Sequence, residues 1–551
     1  MSSLFRRCIC LLFFTLSCTV LHADLSAEAE QVVILVNSSD PKSVELGEYY
    51  AQRRSIPMAN IIGLELSSAE TIGWQEYVDT LHNPLLNELL ANGWIRGVKA
   101  GSRDALGREG LAVAVHSIRY LVTVRGVPLR ISNSVELAVG AVDQIPAALH
   151  FNRAAVDSEL ALLAAPANVA TVAYVPNPFF NQLAPAAVDT ARVIPVSRLD
   201  GPKYSDVAKL IDRSLAAEAH GLMGRAYIDL GGPHKRGDVW LEAAGEAAAA
   251  AFFDTDFERT KRAMGYIDRL DAPAIYMGWY RANADGPWRA PRWSVPAGAI
   301  GFHLHSFSAV SVRDVKKGWL GAFVAQGYCA NVGNVYEPYL DLTHRPDLLL
   351  QHLLAGHSFG EAVMYSVPAL SWMGVAIGDP LSPAIASWFA DAASVSANPV
   401  DRMMYIDTAR YLPDDILVKL DRASMAAGLE AREPFLDHNL VSLAWSMPIN
   451  QKIESRQGKR VVREYVRRHV PDTLMDRPKQ GFSIPLGAWL RGPLRDFAEA
   501  HILESPQNTA ESLGTGRLQT LWQAHQSGDA DYGPALWAHA VLNAWRDHWR
   551  I

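Results

Sequence analysis

The run Gln31-Val-Val-Ile-Leu-Val-Asn37 constrains the fold more than any other part of the chain. A continuous aliphatic run closed by Asn-Ser-Ser-Asp reads as a buried strand ended by a turn. Ser43 to Arg54 then has helical character and stops before Ile56-Pro57, and Ile61 to Leu66 reads as a second strand. Strand, helix and strand within about forty residues predict a parallel sheet wound on both faces by helices.

The pattern recurs. Tyr120–Val124, Thr171–Val175, Arg225–Leu230, Ala272–Gly278 and Ala299–His305 read as strands, 323–335 as strand-like, and Val207–Ala219 as a helix. Residues 24–381 are therefore expected to form one large α/β domain, doubly wound and mainly parallel. Residues 382–399, rich in Ala and Ser with Pro near both ends, read as a linker or junction. From Asp401 the chain turns to charged amphipathic helices, and 400–551 is expected to be a small all-α lobe. Asp415, Lys419 and Arg422 share one helical face; Ile416, Leu420 and Ala427 share another. In Lys459–His469 the pattern buries Val461, Val462, Tyr465 and Val466 and leaves Arg460, Arg463 and Arg467 outside.

Arg6 and Arg7 precede the short apolar run Ile9–Leu21, and His22-Ala23 precedes a polar stretch. This reads as a signal peptide, residues 1–23, cleaved near Ala23, which places the mature protein outside the cytoplasm as a secreted or periplasmic protein. No later apolar stretch has spanning length. Cys8, Cys10 and Cys18 lie in the leader, so Cys329 alone remains and no disulfide framework is expected in the mature chain. A net charge of −7 gives no reason to expect a nucleic-acid partner. A small-molecule ligand is the expected partner.

Tyr411 to His438, YLPDDILVKLDRASMAAGLEAREPFLDH, resembles the synthetase domain of glutamine-hydrolysing asparagine synthetases. So do Arg477-Pro-Lys-Gln-Gly-Phe-Ser-Ile-Pro485 and Trp489-Leu-Arg491. The resemblance implies ATP-dependent activation of the aspartate β-carboxylate as an acyl-adenylate, with ammonia displacing AMP. ATP and Mg2+ are then the implied cofactors, because departing pyrophosphate needs positive groups and a bridging metal. By resemblance Lys479 faces the phosphates. Asp415, Lys419, Asp421, Arg422 and Ser424 border the ATP and aspartate pocket. Glu430, Arg432 and Asp437 belong to the segment that closes it. The catalytic set implied is Lys479, Glu430 and Arg432, with no protein metal ligand assigned. Each residue other than Lys479 could equally be an ion-pair member in a helical bundle.

The family's nucleophilic Cys follows the initiator Met, where this sequence has Ser2. Its pyrophosphate loop, Ser-Gly-Gly-x-Asp-Ser, needs glycines so that backbone N–H groups can cradle phosphate. Neither that string nor Gly-x-x-x-Asp-Glu-x-Phe-Gly-Gly-Tyr occurs here. The expectation is a truncated synthetase segment, asparagine synthetase-like but inactive.

Residues 30–381 resemble a family of secreted bacterial proteins of unknown activity, and more weakly the caspase-like cysteine peptidases of the gingipain type. The matching blocks are Val33–Asn37 with Tyr49, Tyr50 and Arg54, then Tyr120–Ile131, Ala155–Glu159, Ser197–Pro202, Glu337–Tyr339 and Trp372–Leu381. The alternative function is a secreted α/β binding protein or hydrolase with a passenger C-terminal segment. Three constellations bear on it. Gly356-His-Ser358-Phe-Gly360 matches a nucleophile elbow, but the helical Pro346–Ala355 before it favours a turn between helices. His303 and His305 would point the same way on a strand and could share a metal with Glu337 or Asp379. Cys329 could pair with either His as a dyad, although its apolar surroundings favour a buried structural thiol.

Overall fold

The computed structural model describes residues 28–549 except 137–144, 166–171, 183–184, 252, 267, 269, 291–292, 384–397, 455–456, 476–484, 505–514 and 529–530. The leader 1–23 and most of the expected linker 382–399 therefore lie outside the described residues. By internal contacts the chain divides into Met1–Ala431 and Arg432–Ile551.

The first unit is mixed α/β around a ten-stranded, largely parallel sheet. Its elements in chain order are β1 (Val32–Asn37), α1 (Pro41–Arg54), β2 (Ile61–Leu64), α2 (Asn83–Ala91), β3 (Tyr120–Val124) and β4 (Val196–Leu199). There follow α3 (Tyr204–His220), β5 (Arg225–Asp229), α4 (Lys235–Ala250), β6 (Asp254–Glu258), β7 (Pro273–Gly278) and β8 (Ile300–His303). Last come α5 (Leu320–Gln326), β9 (Ala330–Asn334), α6 (Pro346–Leu354), α7 (Phe359–Ser366) and β10 (Gly374–Gly378). The spatial order is β6-β5-β7-β8-β9-β10-β4-β3-β1-β2. Two parallel groups thus meet at β10, which runs antiparallel to β9 and parallel to β4.

The buried run at β1 explains itself once both faces are covered. Val32, Ile34 and Val36 pack with Leu46, Tyr50 and Ala51 of α1, while Val33 and Leu35 pack with Leu85, Leu86 and Leu89 of α2. In the second group Ala226 and Ile228 meet Leu241, Ala244 and Ala248 of α4, and Tyr276 meets Phe323 of α5 on the other face. Asp40 caps α1 by accepting from the Lys42 N–H, so the helix starts two residues before the expected Ser43.

Two strand expectations need correction. Residue 171 lies outside the described residues, and of 172–175 only Val175 is in a strand, Val175–Pro176, paired antiparallel to Ala369–Leu370. The segment 323–335 is the end of α5 followed by β9. Gly327, at φ 98°, ends the helix in a left-handed cap, a conformation that the apolar pattern cannot announce.

The second unit has a core of Leu490, Ala498, Ile502, Leu518, Trp522, Leu536 and Ala540. These residues come from helices Leu486–Arg491, Arg495–Glu499, Thr515–Ser527 and Gly533–Trp549 and from the helical turn Ala500–Glu504. It is not wholly helical: Ile453–Glu454 and Gln457–Gly458 pair as a short antiparallel ladder. Two-residue strands are too short for any periodicity to reveal. The expected burial of the 459–469 helix is also corrected. Val461, Val462 and Tyr465 are 40%, 38% and 59% exposed, because no described element covers that face. No described helix is long and apolar enough to cross a membrane.

Candidate functional site

In the group β6-β5-β7-β8-β9 the chain leaves β5 to one side for β6 and to the other for β7. Ligand crevices in open α/β sheets form at such a reversal, beyond the carboxyl ends of the strands. A crevice of about 150 Å³ lies there in the first unit. The segments after β5, β7, β8 and β9 supply, among others, His234, Tyr280, His305, Ser306, Glu337 and Tyr339.

Beneath it runs a buried polar chain. His303 ends β8 and is fully buried, its ring stacked 3.5 Å from Trp319 at 9°. The Arg281 N–H donates to its Nε2 at 2.9 Å, so Nδ1 carries the proton and donates to Tyr276 Oη at 3.1 Å. Tyr276 in turn donates to Asp229 Oδ2 at 3.4 Å. Burial, with smaller effects from His305 and Arg281, holds His303 well below the ordinary imidazole range, so it is neutral. Burial also pushes the Asp229 carboxyl up to about 7.

His305 lies in the crevice wall, 4.2 Å from Tyr280 between ring centroids. Its Nδ1 bonds the Ser306 carbonyl oxygen. Burial lowers its pKa, against smaller opposing effects from that carbonyl and from the Glu337 carboxylate. The Ser306 hydroxyl donates to Glu337 Oε2, and the Tyr339 N–H donates to Oε1 at 3.2 Å. The serine is thus bonded to a carboxylate and not to the imidazole. His303 and His305 do not share one ligand: the strand ends at His303, so the two rings enter different environments. Asp379 is held by Tyr50 Oη at 2.7 Å and Arg54 Nε at 2.6 Å, at the other end of the sheet. Among the described residues no three His, Cys, Asp or Glu side chains converge as metal ligands.

The other two constellations resolve locally. Ile300 pairs with Ala330, so Cys329 sits at the amino end of these strands while His303 ends them, four residues on and about 13 Å away at 3.3 Å per residue. The thiol is buried, which raises its pKa. Ser358 lies between α6 and α7 and caps α7, with Glu361 completing a capping box. It follows a helix and not a strand, so it is no nucleophile elbow.

Sequence reasoning missed the buried ion network that joins the matching blocks. Arg198 on β4 binds Asp157 and the Val127 and Pro128 carbonyls. Asp200 binds Arg313 at 3.0 Å, and Arg108 binds Glu159 at 2.9 Å. Charged residues inside apolar blocks were the available signal.

Lys479 lies outside the described residues. Asp415 lies in the helical turns Asp407–Ile416, where Pro413 breaks the regular pattern, and Lys419, Asp421, Arg422 and Ser424 lie in the helix Leu417–Met425 that follows. Lys419, Asp421, Arg422, Glu430 and Arg432 are exposed and Ser424 is half-buried. Asp437 caps the next helix by accepting from the Asn439 N–H at 2.9 Å and the Leu440 N–H at 3.3 Å. These interactions lower its carboxyl pKa. Among the described residues no three carboxylates converge here; a Mg2+ bridging ATP phosphates would draw on one or two carboxylates and on the phosphates themselves.

A family model described as asparagine synthase matches residues 247–547, more than half of the chain. The match opens inside α4. A candidate glutamine-hydrolysing asparagine synthetase of Mycobacterium tuberculosis is 31% identical over 210 residues, 37% of this chain and 30% of that protein. Asparagine synthetase (glutamine-hydrolysing) 1 of Bacillus subtilis is 28% identical over 159 residues, 29% of this chain and 24% of its own length. The Bos taurus asparagine synthetase is 29% identical over 150 residues, 24% of this chain and 26% of its own. The aligned part thus spans less than a third of each of these relatives. A solved structure titled "Structure of Protease" aligns with 64% of this chain and 78% of its own, at a TM-score of 0.35 and 7% identity.

Proposed function

The chain belongs to the asparagine synthase family, and from that premise we propose an asparagine synthetase-like protein that does not amidate aspartate by itself. The observation that carries this is the state of the 415–432 segment. Its charged residues Lys419, Asp421, Arg422, Glu430 and Arg432 are exposed. The sequence offers no Ser-Gly-Gly-x-Asp-Ser loop to hold phosphate opposite them. ATP is consistent with the family and is the nucleotide to test.

The full chain is incubated with aspartate, ATP, Mg2+ and ammonium, which bypasses any need for glutamine. No asparagine above background is the expected result. Turnover that disappears in Lys479→Ala would overturn the proposal.

A second reading is supported by the crevice at the carboxyl ends of β5 and β7–β9. In it, residues 24–381 are a doubly wound, exported binding domain, 382–399 is a connector, and 400–551 is a mainly helical passenger lobe. Apolar clusters on both faces of the sheet support the doubly wound part. Binding is favoured over hydrolysis because the Ser306 hydroxyl is bonded to Glu337 and not to His305. Export rests on Arg6, Arg7 and the apolar run 9–21. N-terminal sequencing of the protein from the producing cell is expected to start near Asp24; an intact Met1 would remove export.

A further inference from the structure

We infer that the crevice between β5 and β9 binds a small organic ammonium ion, held by Glu337 against the Tyr280, Tyr339 and Trp279 rings. This rests on the second reading above, that the crevice is a binding site, and names its ligand class.

Size comes first. The crevice offers about 150 Å³. Drug-sized ligands need roughly 300–1,000 Å³, so the crevice suits a group no larger than an amino-acid side chain.

Charge decides the class. Among the described residues Glu337 is the one Asp, Glu, Lys or Arg side chain that lines the crevice. Arg236 and Arg281 pair elsewhere, with Asp341 and Asp285. Among the described residues Glu337 has no ion pair, only the Ser306 hydroxyl and the Tyr339 N–H as donors. A carboxylate has about four lone-pair sites, so about two remain for a ligand. An anion would meet an uncompensated carboxylate there. A cation would gain a charge-assisted hydrogen bond.

The walls supply the second half of the recognition. Tyr280 and Tyr339 are 48% and 37% exposed and flank the mouth, and Trp279 is buried in the wall. Aromatic faces attract alkylammonium groups through the ring quadrupole. Two of these rings have partners. Trp279 Nε1 donates to Asp238 Oδ1 at 2.7 Å, and Tyr280 lies against His305. The imidazole of His305, lowered by burial, does not compete as a cation near neutral pH.

The test titrates the full chain with n-butylammonium and tetramethylammonium by calorimetry and ligand-observed NMR, with 1-butanol and butyrate as the neutral and anionic counterparts. Saturable binding of at least one cation, at least tenfold tighter than either counterpart, is expected. Glu337→Gln should weaken it about tenfold or more, and Tyr280→Leu about two- to fivefold. Tyr280 is half exposed, so its variant checks the site without a core defect. Equal binding of butanol or butyrate, or unchanged affinity in Glu337→Gln, overturns the ammonium inference and leaves the binding-site reading standing. No binding of any of the four probes overturns both.

Discussion

Arg198 and Asp157 meet fork to fork, with Nε 2.8 Å from Oδ2 and Nη2 2.6 Å from Oδ1. Both are sealed from solvent, and Thr123 Oγ1 adds a donor to Oδ1 at 3.0 Å. Removing Asp157 leaves the buried Arg198 with only its longer pair to Asp200, at 3.4 Å. Asp157→Asn is therefore expected to destabilise the first unit by about 3–5 kcal/mol in urea unfolding. Replacing both residues by apolar ones, Asp157→Leu with Arg198→Met, should cost less than either single change. A double variant worse than both singles would show that the carbonyl bonds of Arg198 matter more than the charge pair.

Asp229 gives the stability a pH dependence opposite to that of an ordinary surface carboxylate. Its Oδ2 accepts from the Met264 N–H at 3.0 Å, its Oδ1 is buried without a partner among the described residues, and its pKa is about 7 against 3.8 for the free side chain. Between those values the folded state keeps a proton that the unfolded state releases. The stabilisation is whole below about pH 4, falls as pH rises to about 7, and is then level, by up to about 4 kcal/mol at 1.4 per unit. Unfolding free energies at pH 5 and pH 8 check it. Asp229→Asn should narrow the gap between them by about 2–3 kcal/mol, and an unchanged gap would place the titration elsewhere.

Ser358 is predicted to be a structural residue. Its Oγ accepts from the Glu361 N–H at the start of α7 and lies 2.7 Å from Tyr120 Oη. Ser358→Ala should cost about 1 kcal/mol of stability, typical of a lost cap. A fluorophosphonate probe should leave Ser358 unlabelled in peptide mapping, and labelling there would restore the nucleophile reading.

Cys329 is expected to resist thiol reagents in the folded chain. It is 4% exposed, and burial raises its pKa, so little thiolate is presented. Peptide-resolved labelling should show modification of Cys329 only as denaturant unfolds the first unit. Rapid labelling in buffer would contradict the packing of β9.

The elements legible in the sequence were those whose burial makes a continuous apolar run. β1 and β3 stand where Val32–Asn37 and Tyr120–Val124 predicted them. β4, β6 and β10 were hidden for separate reasons. β4 carries the buried Arg198, β6 reads Asp-Thr-Asp-Phe-Glu as a polar edge strand, and β10 begins and ends in glycine. The crevice was half legible. Histidines 303 and 305 and Glu337 stood out as titratable groups, but Tyr280 and Ser306 joined them only through strand order, which no local pattern encodes. In the C-terminal part the resemblance carried the family, while the amphipathic pattern at Val461 and Val462 overstated their burial, since periodicity marks an apolar face without supplying its cover.

The last prediction concerns how α4 sets the crevice wall. Gly237 lies in the first turn of α4, flat against the Trp279 indole, and a Cβ added there would overlap the ring. Alanine favours a helix over glycine by about 0.5–1 kcal/mol. Overpacking a rigid neighbour costs about 1–3 kcal/mol, and Trp279 is rigid because its Nε1 is bonded to Asp238 of the same helix. The overlap should win, so Gly237→Ala is expected to destabilise the first unit by about 1–2 kcal/mol. It should also displace Trp279 with the adjoining Tyr280, and so weaken n-butylammonium binding. Asp238→Asn keeps the helix and the glycine but replaces the carboxylate that accepts from the indole, and should weaken binding with a smaller loss of stability. Full affinity in a folded Gly237→Ala chain would mean that the indole is not part of the binding wall.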